Sequence, residues 1–362
     1  MGSGTPRERM KLVRDADLRE IDRHLDRRLD GLLVDADGLA PMKRAIRDYV
    51  LAGGKRVRPQ LCLWTFERLR PTGVSDATLP EALLDVACGW ELFHAFLLAH
   101  DDIIDESDVR RDQPALHRQL AALDSYCPKF GKNLAIVAGD LLFSAAMRLW
   151  HELDVPAETY RSLLRLFGRV ASTTGFGQAI DICQSHVPIH AVREEVLLRE
   201  YHWKTAAYTF EGPMLSGAIL ASANDLTLDA ISSYALALGQ AYQLQNDLID
   251  LSTPVHDGCD LVQGKRTVTL VRARAGLLET RRQAFDRQVE AIRHANGHTA
   301  ELAEALRREL LDSGAAERTR ELVAQFLSQA AAAAERPGLP LNLQNGMSDL
   351  LAALRSQYFA VA

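Results

Sequence analysis

The hydrophobic residues of this chain fall in long segments with little period-two alternation, which is the pattern of α-helices rather than strands. Four segments show it most clearly: LPEALLDVACGWELFHAFLLAH, GDLLFSAAMRLWHEL, ISSYALALGQAYQLQNDLIDL and AELAEALRRELLDSG. Stretches that contain Gly and Pro separate them. Because several segments are apolar nearly all round, they belong at the centre of a large bundle. We find no strand ladder and no βαβ rhythm, so the sequence predicts an all-α fold.

The composition favours one large domain. The 362 residues are 47% hydrophobic and 25% charged, an ordinary globular composition that suffices for a large core. No linker rich in Pro, Gly and Ser divides the chain. We therefore expect a polar leader over residues 1–30, partly disordered, and a single helical domain over residues 31–362.

Charge and targeting signals exclude several classes of protein. The net charge of −6 gives no electrostatic footprint for nucleic acid. No uninterrupted apolar run reaches the roughly 18 residues of a membrane-spanning helix. The first residues lack the apolar core of a signal peptide. Five widely spaced cysteines without a CxxC pair favour free thiols in a reducing compartment. We therefore expect a cytoplasmic protein without a transmembrane segment.

The stretch LLAHDDIIDESDVRRDQP, residues 97–114, places several carboxylates directly after an apolar helical segment. Asp101 and Asp105 are four residues apart, so a helix puts them on one face about one turn apart, with Asp102 beside them. His94 lies seven residues before Asp101 and points the same way. An isolated pair of this kind is more often a solvated helix end, but this helix is too apolar to face solvent. Stacked carboxylates here suit Mg²⁺, especially when substrate phosphates complete its coordination.

A second polar cluster occurs in YQLQNDLIDL. Gln243, Asn246, Asp247 and Asp250 follow the spacing i, i+3, i+4 and i+7, so they share one helical face inside an apolar segment. This cluster is weaker evidence by itself, because Asn246 and Gln243 could simply bond to each other. Two inward polar faces together predict metal ions held from both sides of a bundle cavity.

Basic residues accompany the acids. They are Lys55 and Arg58 in GGKRVRP, Arg110 and Arg111 after the first cluster, Lys204 beside Thr205 in YHWKTAAYTF, and Lys265 in GKRT. Each of them alone is more typical of surface charge, and GGKRVRP lacks the spacing of a Walker A loop. Bases beside glycine backbone suit phosphate oxygens. Metal sites plus several separate bases indicate more than one anionic group, most economically two diphosphates.

These motifs together resemble the trans-isoprenyl diphosphate synthases. GGKRVRP, HDDIIDESDVRR, KTA, YQLQNDLID and GKRT occur in that family's order and rough spacing, over about residues 40–350. The resemblance implies a bundle of helices around a deep apolar cavity, usually homodimeric. It implies a prenyltransferase that joins isopentenyl diphosphate head-to-tail to an allylic diphosphate in the trans configuration. The implied cofactor is Mg²⁺, about three ions, with Mn²⁺ as a substitute.

The resemblance also implies a role for each matching residue. The residues that would hold Mg²⁺ are Asp101 and Asp105, supported by Asp102, with Asn246, Asp247 and Asp250 of the second motif. Those that would bind diphosphate are Arg110 on the allylic substrate, Lys55, Arg58, His94 and Arg111 on isopentenyl diphosphate, and Lys265 on the leaving group. Those that would line the reacting centre are Lys204, Thr205 and Gln243, and Gln178 and Asp181 match the family's central helix.

The chain departs from the family pattern at three places. Asn246 stands where the second motif usually begins with a metal-ligating Asp, and a neutral amide is a weaker ligand for Mg²⁺. The lysine usually found before GKRT falls at about Val255, in a loop roughly five residues short by the resemblance. Asp112 replaces the usual Gly after the Arg pair. The first two departures concern the same metal and diphosphate corner.

Alternative functions remain open at this stage. A class I terpene cyclase has NDxxSxxxE as its second motif, but Asp250 and Pro254 occupy the Ser and Glu positions, and a cyclase has no need of GGKRVRP. A prenyltransferase with an unusual acceptor is a related possibility. A weakly active regulatory subunit that pairs with another synthase is a different class of protein.

The expected product is short. Leu97 lies one turn before Asp101, and Phe96 precedes Asp101 by five residues. In the family that this chain resembles, an aromatic residue at this offset blocks the growing tail. Phe96 beside Leu97 therefore favours geranylgeranyl diphosphate as product, with farnesyl diphosphate next. Plain core packing is the alternative role for Phe96.

Overall fold

The computed structural model describes residues 12–33, 37–70, 79–110, 113–125, 127–256, 258–293 and 299–359. Of the residues that the structure describes, 79% are helical, so the all-α prediction is confirmed. Arg111 and Asp112 lie outside the described residues, and so do residues 1–11 of the predicted leader.

Helices form nearly all of the regular structure that is described. The first part of the chain contains α1 (Asp15–Leu32), α2 (Ala40–Leu51), α3 (Val57–Leu69), α4 (Glu81–Ile104), α5 (Leu116–Ala121), α6 (Pro128–His151) and α7 (Ala157–Ser185). A 3₁₀ turn (Ile189–Ala191), α8 (Glu194–Glu200), a π-helix (Tyr201–Glu211) and α9 (Gly212–Leu220) follow. The remainder contains α10 (Asp225–Ser252), α11 (Val268–Gly276), α12 (Glu279–Arg293), α13 (Thr299–Asp312), α14 (Ala315–Ala334) and α15 (Leu341–Gln357).

Two short strands interrupt the helices after the first acidic cluster. They are β1 (Val109–Arg110) and β2 (Gln113–Pro114), which pair antiparallel with Arg110 opposite Gln113. This pairing was not predicted, because two residues per strand are too few for an alternating pattern. The pairing matters because it places Arg110.

The helices group into two compact units. The first comprises Met1–Leu164 and Pro213–Ala223, and the second comprises Arg165–Gly212 and Asn224–Ala362. The single domain over residues 31–362 stays a prediction.

The core of the first unit is built around α4. Trp90 and Trp150 are fully buried and meet edge to face, with ring centroids 5.3 Å apart. A side chain at Gly89 would overlap the Trp150 ring, so glycine permits this close approach. Trp90 donates a hydrogen bond from Nε1 to Ser216 Oγ at 3.0 Å. Its one polar atom is therefore satisfied inside the core.

Helix α1 lies mostly within the segment that was expected to be a polar leader. Ile21, Leu25 and Leu29 recur every four residues and are fully buried. Buried His24 contacts Asp85 of α4 through Nε2 at 2.7 Å, and Arg28 donates to the same carboxylate at 2.7 and 2.8 Å. The apolar stripe and this polar anchor attach residues 15–30 to the first unit.

Helix α10 is the centre of the second unit. It packs against α14 and the π-helix, and its fully buried side chains include Leu238, Ala241 and Leu244. A side chain at Gly239 would overlap Ala206 of the π-helix, so glycine allows these two helices to approach closely. Buried Tyr234 donates to the Met347 carbonyl of α15 at 2.8 Å. Helix α10 therefore carries the second polar cluster on a rigid, well-packed element.

Two described helices, α4 and α6, are long and apolar enough to cross a membrane by length and composition. This is weak evidence, because a core helix of a folded protein passes the same test. In α4, 72% of the apolar window is buried within the protein, against 44% in α6. The expectation of no membrane-spanning segment stays a prediction.

Candidate functional site

The first acidic cluster forms where α4 ends. Asp101 lies in the last turn of the helix, and Asp105 follows directly as its C-cap, with the Asp105 backbone N–H donating to the Asp101 carbonyl at 2.8 Å. This connection keeps the two residues one turn apart, as the spacing predicted. Both are half-buried, so the cluster keeps access to solvent.

Asp102 differs from its neighbours because it is fully buried. Its Oδ1 accepts hydrogen bonds from the Arg110 guanidinium, from Nε at 2.8 Å and from Nη2. The Tyr49 hydroxyl lies 3.4 Å from Oδ2. Burial raises the pKa of Asp102, whereas Arg110 opposes that rise. Burial also lowers the pKa of Arg110, but bonding to Asp102 outweighs it and the net shift is upward. Asp102 therefore holds Arg110 charged and oriented.

A small cavity of about 20 Å³ lies beside this ion pair. Its walls include two predicted binding residues, His94 and Arg110, together with Tyr49 and Glu91. A cavity of this size holds about one water molecule. His94 and Arg110 therefore line the same small cavity, and their roles in binding anionic groups stay predictions.

The three basic residues of the GGKRVRP segment lie in different environments. Gly53 adopts φ +88°, the left-handed region that favours glycine. Arg56 is buried and bonds Glu91 at 2.7 Å and Asp22 at 2.9 Å, so it holds helices together. Lys55 is exposed, whereas Arg58 is buried in the first turn of α3. Sequence reasoning did not find the structural role of Arg56, since its two acidic partners are 34 and 35 residues away.

Phe96 belongs to an aromatic group rather than standing alone. Its ring lies 5.3 Å from Phe143 of α6, 5.6 Å from Phe93 and 4.9 Å from His100. Leu97 is half-buried. This packing fixes the position of the Phe96 ring. A residue that limits product length needs such a fixed ring, but a residue that only packs the core would show the same contacts.

The second polar cluster lies near the end of α10, and its central carboxylate is fully engaged. Asp247 is buried, accepts from the Tyr201 hydroxyl through Oδ2, and accepts from Gln243 Nε2 through Oδ1 at 2.9 Å. Burial raises the pKa of Asp247 well above its usual range, and the charge of Asp260 adds to that rise. Each Asp247 oxygen therefore already accepts one hydrogen bond from a neutral protein donor.

The flanking members of this cluster also have protein partners. Asn246 Oδ1 accepts a hydrogen bond from the Tyr358 hydroxyl. Asp250 Oδ2 accepts from the Asp260 backbone N–H at 3.0 Å, which leaves Oδ1 without a hydrogen bond among the described residues. Gln243 bonds Asp247 and not Asn246, so the simple Gln–Asn pair considered from sequence is not what forms.

The π-helix supplies the remaining predicted reacting residues. Lys204 forms an ion pair with Asp181 of α7, and Thr205 donates to Gln243 Oε1 at 3.0 Å. A side chain at Gly177 would overlap the Lys204 backbone, so glycine lets α7 approach the π-helix here. Local π-geometry is often found at functional sites. Thr205, Gln243 and Asp247 therefore form one continuous chain of hydrogen bonds.

Sequence reasoning missed three residues of this region, the buried Glu200 and Tyr201 and the half-buried Asp260. Burial raises the pKa of Glu200 and of Tyr201 well above their usual ranges. Burial raises the pKa of Asp260 to about 6, although Lys265, 3.9 Å away, opposes it. The only sequence signal for Asp260 was its place five residues before Lys265 in GCDLVQGK, and Tyr201 gave none.

The donor atoms fit a hard divalent cation that is completed by substrate. Within the described ranges, no group of three or more His, Cys, Asp or Glu side chains is arranged to hold a metal ion. Mg²⁺ does not need such a cage, because it commonly binds one or two carboxylates plus phosphate oxygens and water. Asp101 and Asp105 offer two half-exposed carboxylates of this kind.

The Polyprenyl synthetase family model matches residues 40–308, which is well over half of the chain. The chain belongs to the polyprenyl synthetase family. This membership confirms the resemblance that the motifs predicted.

Individual relatives agree with this assignment. The chain is 32% identical to a geranylfarnesyl diphosphate synthase of Natronomonas pharaonis over 76% of this chain and 79% of the relative. It is 30% identical to a geranylgeranyl diphosphate synthase of Pantoea ananas over 81% of this chain and 92% of the relative. A solved geranylgeranyl pyrophosphate synthase from Corynebacterium glutamicum, complexed with isoprenyl diphosphate and magnesium, matches with a TM-score of 0.80 at 27% identity, over 95% of this chain and 98% of that one. These relatives support the predicted short-chain prenyltransferase and favour neither alternative.

Proposed function

We propose that this chain joins isopentenyl diphosphate to an allylic diphosphate, head to tail and in the trans configuration, and releases inorganic diphosphate. The observation that carries the proposal is the first cluster: two half-exposed carboxylates one turn apart, beside an arginine that a buried carboxylate holds in place. This arrangement suits a diphosphate and its counter-ions. The family membership of the chain supports the same reaction.

We propose Mg²⁺ as the cofactor, with Asp101 and Asp105 as its main protein ligands and Asp250 as the ligand from the second cluster. Asp250 is chosen because its Oδ1 carries no hydrogen bond among the described residues. Bound divalent ions would neutralise charge on the departing diphosphate and so favour rupture of the allylic C–O bond. The magnesium complex of the Corynebacterium relative supports this choice.

The chain's own residues bind and orient the reactants. Arg110 offers donors for diphosphate oxygens, and its bond to Asp102 fixes the direction of those donors. Lys204 adds a positive charge that Asp181 steadies. In the reaction, the allylic C–O bond breaks toward a carbocation, and the double bond of isopentenyl diphosphate attacks it. A proton then leaves to the released diphosphate, while apolar walls exclude water that would quench the cation.

We propose geranylgeranyl diphosphate as the main product, with farnesyl diphosphate next. Phe96 supports this choice because three aromatic neighbours hold its ring in place. The names of the relatives extend to geranylfarnesyl diphosphate, so the length limit in this chain has to be tested directly.

We propose a second copy of the chain as the protein partner. On α6, Ile136, Val137 and Leu141 are 45%, 49% and 42% exposed and lie on one helical face. An apolar stripe of this kind on a packed helix is typical of an interface between subunits. Sedimentation analysis should show a dimer, and Val137→Lys should shift it toward monomer. The cytoplasmic location stays a prediction.

The function is tested by product analysis. Purified protein is incubated with isopentenyl diphosphate and each of dimethylallyl, geranyl and farnesyl diphosphate, with Mg²⁺ or with EDTA. The proposal expects linear prenyl diphosphates in Mg²⁺ and none in EDTA. Cyclic hydrocarbons would show a cyclase instead. If the chain consumes no substrate alone yet changes the product of an added synthase, it is a regulatory subunit.

A further inference from the structure

The chain's last described residues end on the second polar cluster. Helix α15 ends at Gln357, and the Tyr358 backbone N–H still bonds the Leu354 carbonyl at 2.9 Å. The Tyr358 ring stacks on Tyr242 of α10, with centroids 4.9 Å apart and planes 13° from parallel. Gln245 donates from Nε2 to the Tyr358 carbonyl at 3.2 Å. The ring and the backbone of Tyr358 therefore hold this residue on α10 independently of its hydroxyl.

The hydroxyl fixes the orientation of the Asn246 amide. It donates to Asn246 Oδ1, the only oxygen of that side chain. Because the amide is planar, this bond also restricts where its NH₂ group can lie. Among the described residues, Asn246 Nδ2 makes no hydrogen bond, and the side chain is only half-buried. Of its two polar atoms, Nδ2 is therefore the one without a protein hydrogen bond among the described residues.

The two polar atoms of an amide bind different ligands: the oxygen can bind a cation, whereas the NH₂ group can donate to an anion. Mg²⁺ binds oxygens and cannot use an amide NH₂ group. A diphosphate oxygen is an acceptor and can use it. An aspartate at this position would instead add charge beside Asp247 and Asp250, the other acids of the cluster.

We propose that Asn246 binds a diphosphate oxygen of the substrate through Nδ2 rather than an ion through Oδ1, and that Tyr358 is the positioning residue that sets this orientation. The inference rests on the proposed function, since it assumes that a diphosphate occupies this region. It assigns Tyr358, which follows α15, to the binding site and gives a reason for the departure from Asp at position 246.

The test titrates inorganic diphosphate into the full-length protein at saturating Mg²⁺ by calorimetry, and counts bound Mn²⁺ by electron paramagnetic resonance. Asn246→Ala should weaken diphosphate binding about tenfold, because it removes a hydrogen bond to a charged group. It should leave the number of bound Mn²⁺ ions unchanged. Asn246→Asp should weaken diphosphate binding at least as much, because a carboxylate repels the anion.

Tyr358→Phe keeps the stacked ring and removes only the hydroxyl, so it should weaken binding by a smaller factor of a few. Tyr234→Phe is the matched control, since that hydroxyl also joins α10 to α15 but bonds the Met347 carbonyl instead. It should leave diphosphate affinity unchanged. Circular dichroism and thermal unfolding establish that each variant is folded.

Opposite results would overturn the inference. They are tighter Mn²⁺ or diphosphate binding by Asn246→Asp, loss of one Mn²⁺ from Asn246→Ala, or wild-type affinity in Asn246→Ala. In each case the wild type still binds diphosphate, so the proposed function survives. A wild type that binds no diphosphate at saturating Mg²⁺ would remove both the inference and the proposed function.

Discussion

The first and second polar clusters differ in the hydrogen-bond partners of their buried carboxylates. Each has one buried carboxylate: Asp102 in the first and Asp247 in the second. Asp102 bonds a cation, Arg110, whereas Asp247 bonds two neutral donors, Tyr201 and Gln243. The shared arrangement is a central acid that organises its neighbours.

The residues that flank the two buried carboxylates differ in how many carboxylate oxygens they leave for a metal ion. Asp101 and Asp105 of the first cluster are half-exposed carboxylates. In the second cluster, Asn246 is neutral and bonded to Tyr358, and only Asp250 keeps a carboxylate oxygen without a hydrogen bond among the described residues. We infer that the first cluster binds most of the divalent ions and that the second mainly positions substrate.

Asp101→Asn should give the largest effect. It keeps the size of the side chain but removes the charge of a proposed ion ligand, so turnover should fall by about 10³-fold, as when charge stabilisation of a transition state is lost. The rate is measured at saturating substrates and Mg²⁺. Glu106→Gln is the control, because it removes an exposed acid in the same stretch whose ion-pair partner among the described residues is Lys132, at 3.4 Å. Equal losses in both variants would contradict a special role for Asp101.

Tyr201→Phe should lower stability. It leaves buried Asp247 Oδ2 and the Val268 backbone N–H without the hydroxyl that bonds both, at a cost of about 1–3 kcal/mol. Tyr49→Phe is the matched change at the first cluster, and it should cost less because the Tyr49 hydroxyl lies 3.4 Å from Asp102. Urea unfolding measures both. A larger loss in Tyr49→Phe would reverse the proposed contrast.

Phe96→Ala should lengthen the main product by about one isoprene unit while the first cluster keeps its activity. The reason is the space opened beside Phe93 and Phe143, which hold the Phe96 ring. Mass spectrometry of the dephosphorylated products measures the change. An unchanged product distribution would assign Phe96 to core packing.

The pH dependence of folding stability that arises from His117, near the first cluster, should be the smallest of these effects. Burial lowers the pKa of His117, Asp108 opposes that shift, and Arg118 adds to it. The unfolded chain then takes up the proton first, so this group's contribution to stability is present above about pH 6.5 and declines as pH falls further. His117→Gln should remove this decline, so the variant should lose less stability than the wild type between pH 7.5 and about pH 5. Parallel stability profiles for the two proteins would contradict the assignment.

Regular spacing was readable from the sequence, and contacts between distant residues were not. The helical period placed Asp101 one turn from Asp105, which caps the same helix, and Gln243 one turn from Asp247 within α10. Tyr201 and Tyr358 reach the second cluster from 46 and 112 residues away, and no periodic pattern encodes such contacts.

The first helix shows a signal that was present but outweighed. Ile21, Leu25 and Leu29 have helical spacing, yet the many charges around them favoured a polar leader. Burial of His24 against Asp85 of α4 provides an anchor that a single segment cannot reveal. Tertiary packing therefore decided the structure of this part of the chain.

The unequal division of ions between the clusters is tested most directly by anomalous diffraction from crystals grown with Mn²⁺ and a non-reactive allylic diphosphate analogue. We predict Mn²⁺ peaks within coordination distance of the Asp101 and Asp105 carboxylates, and no peak on Asn246 Oδ1. A map with Mn²⁺ bound to Asn246 and none at Asp101 and Asp105 would contradict the account.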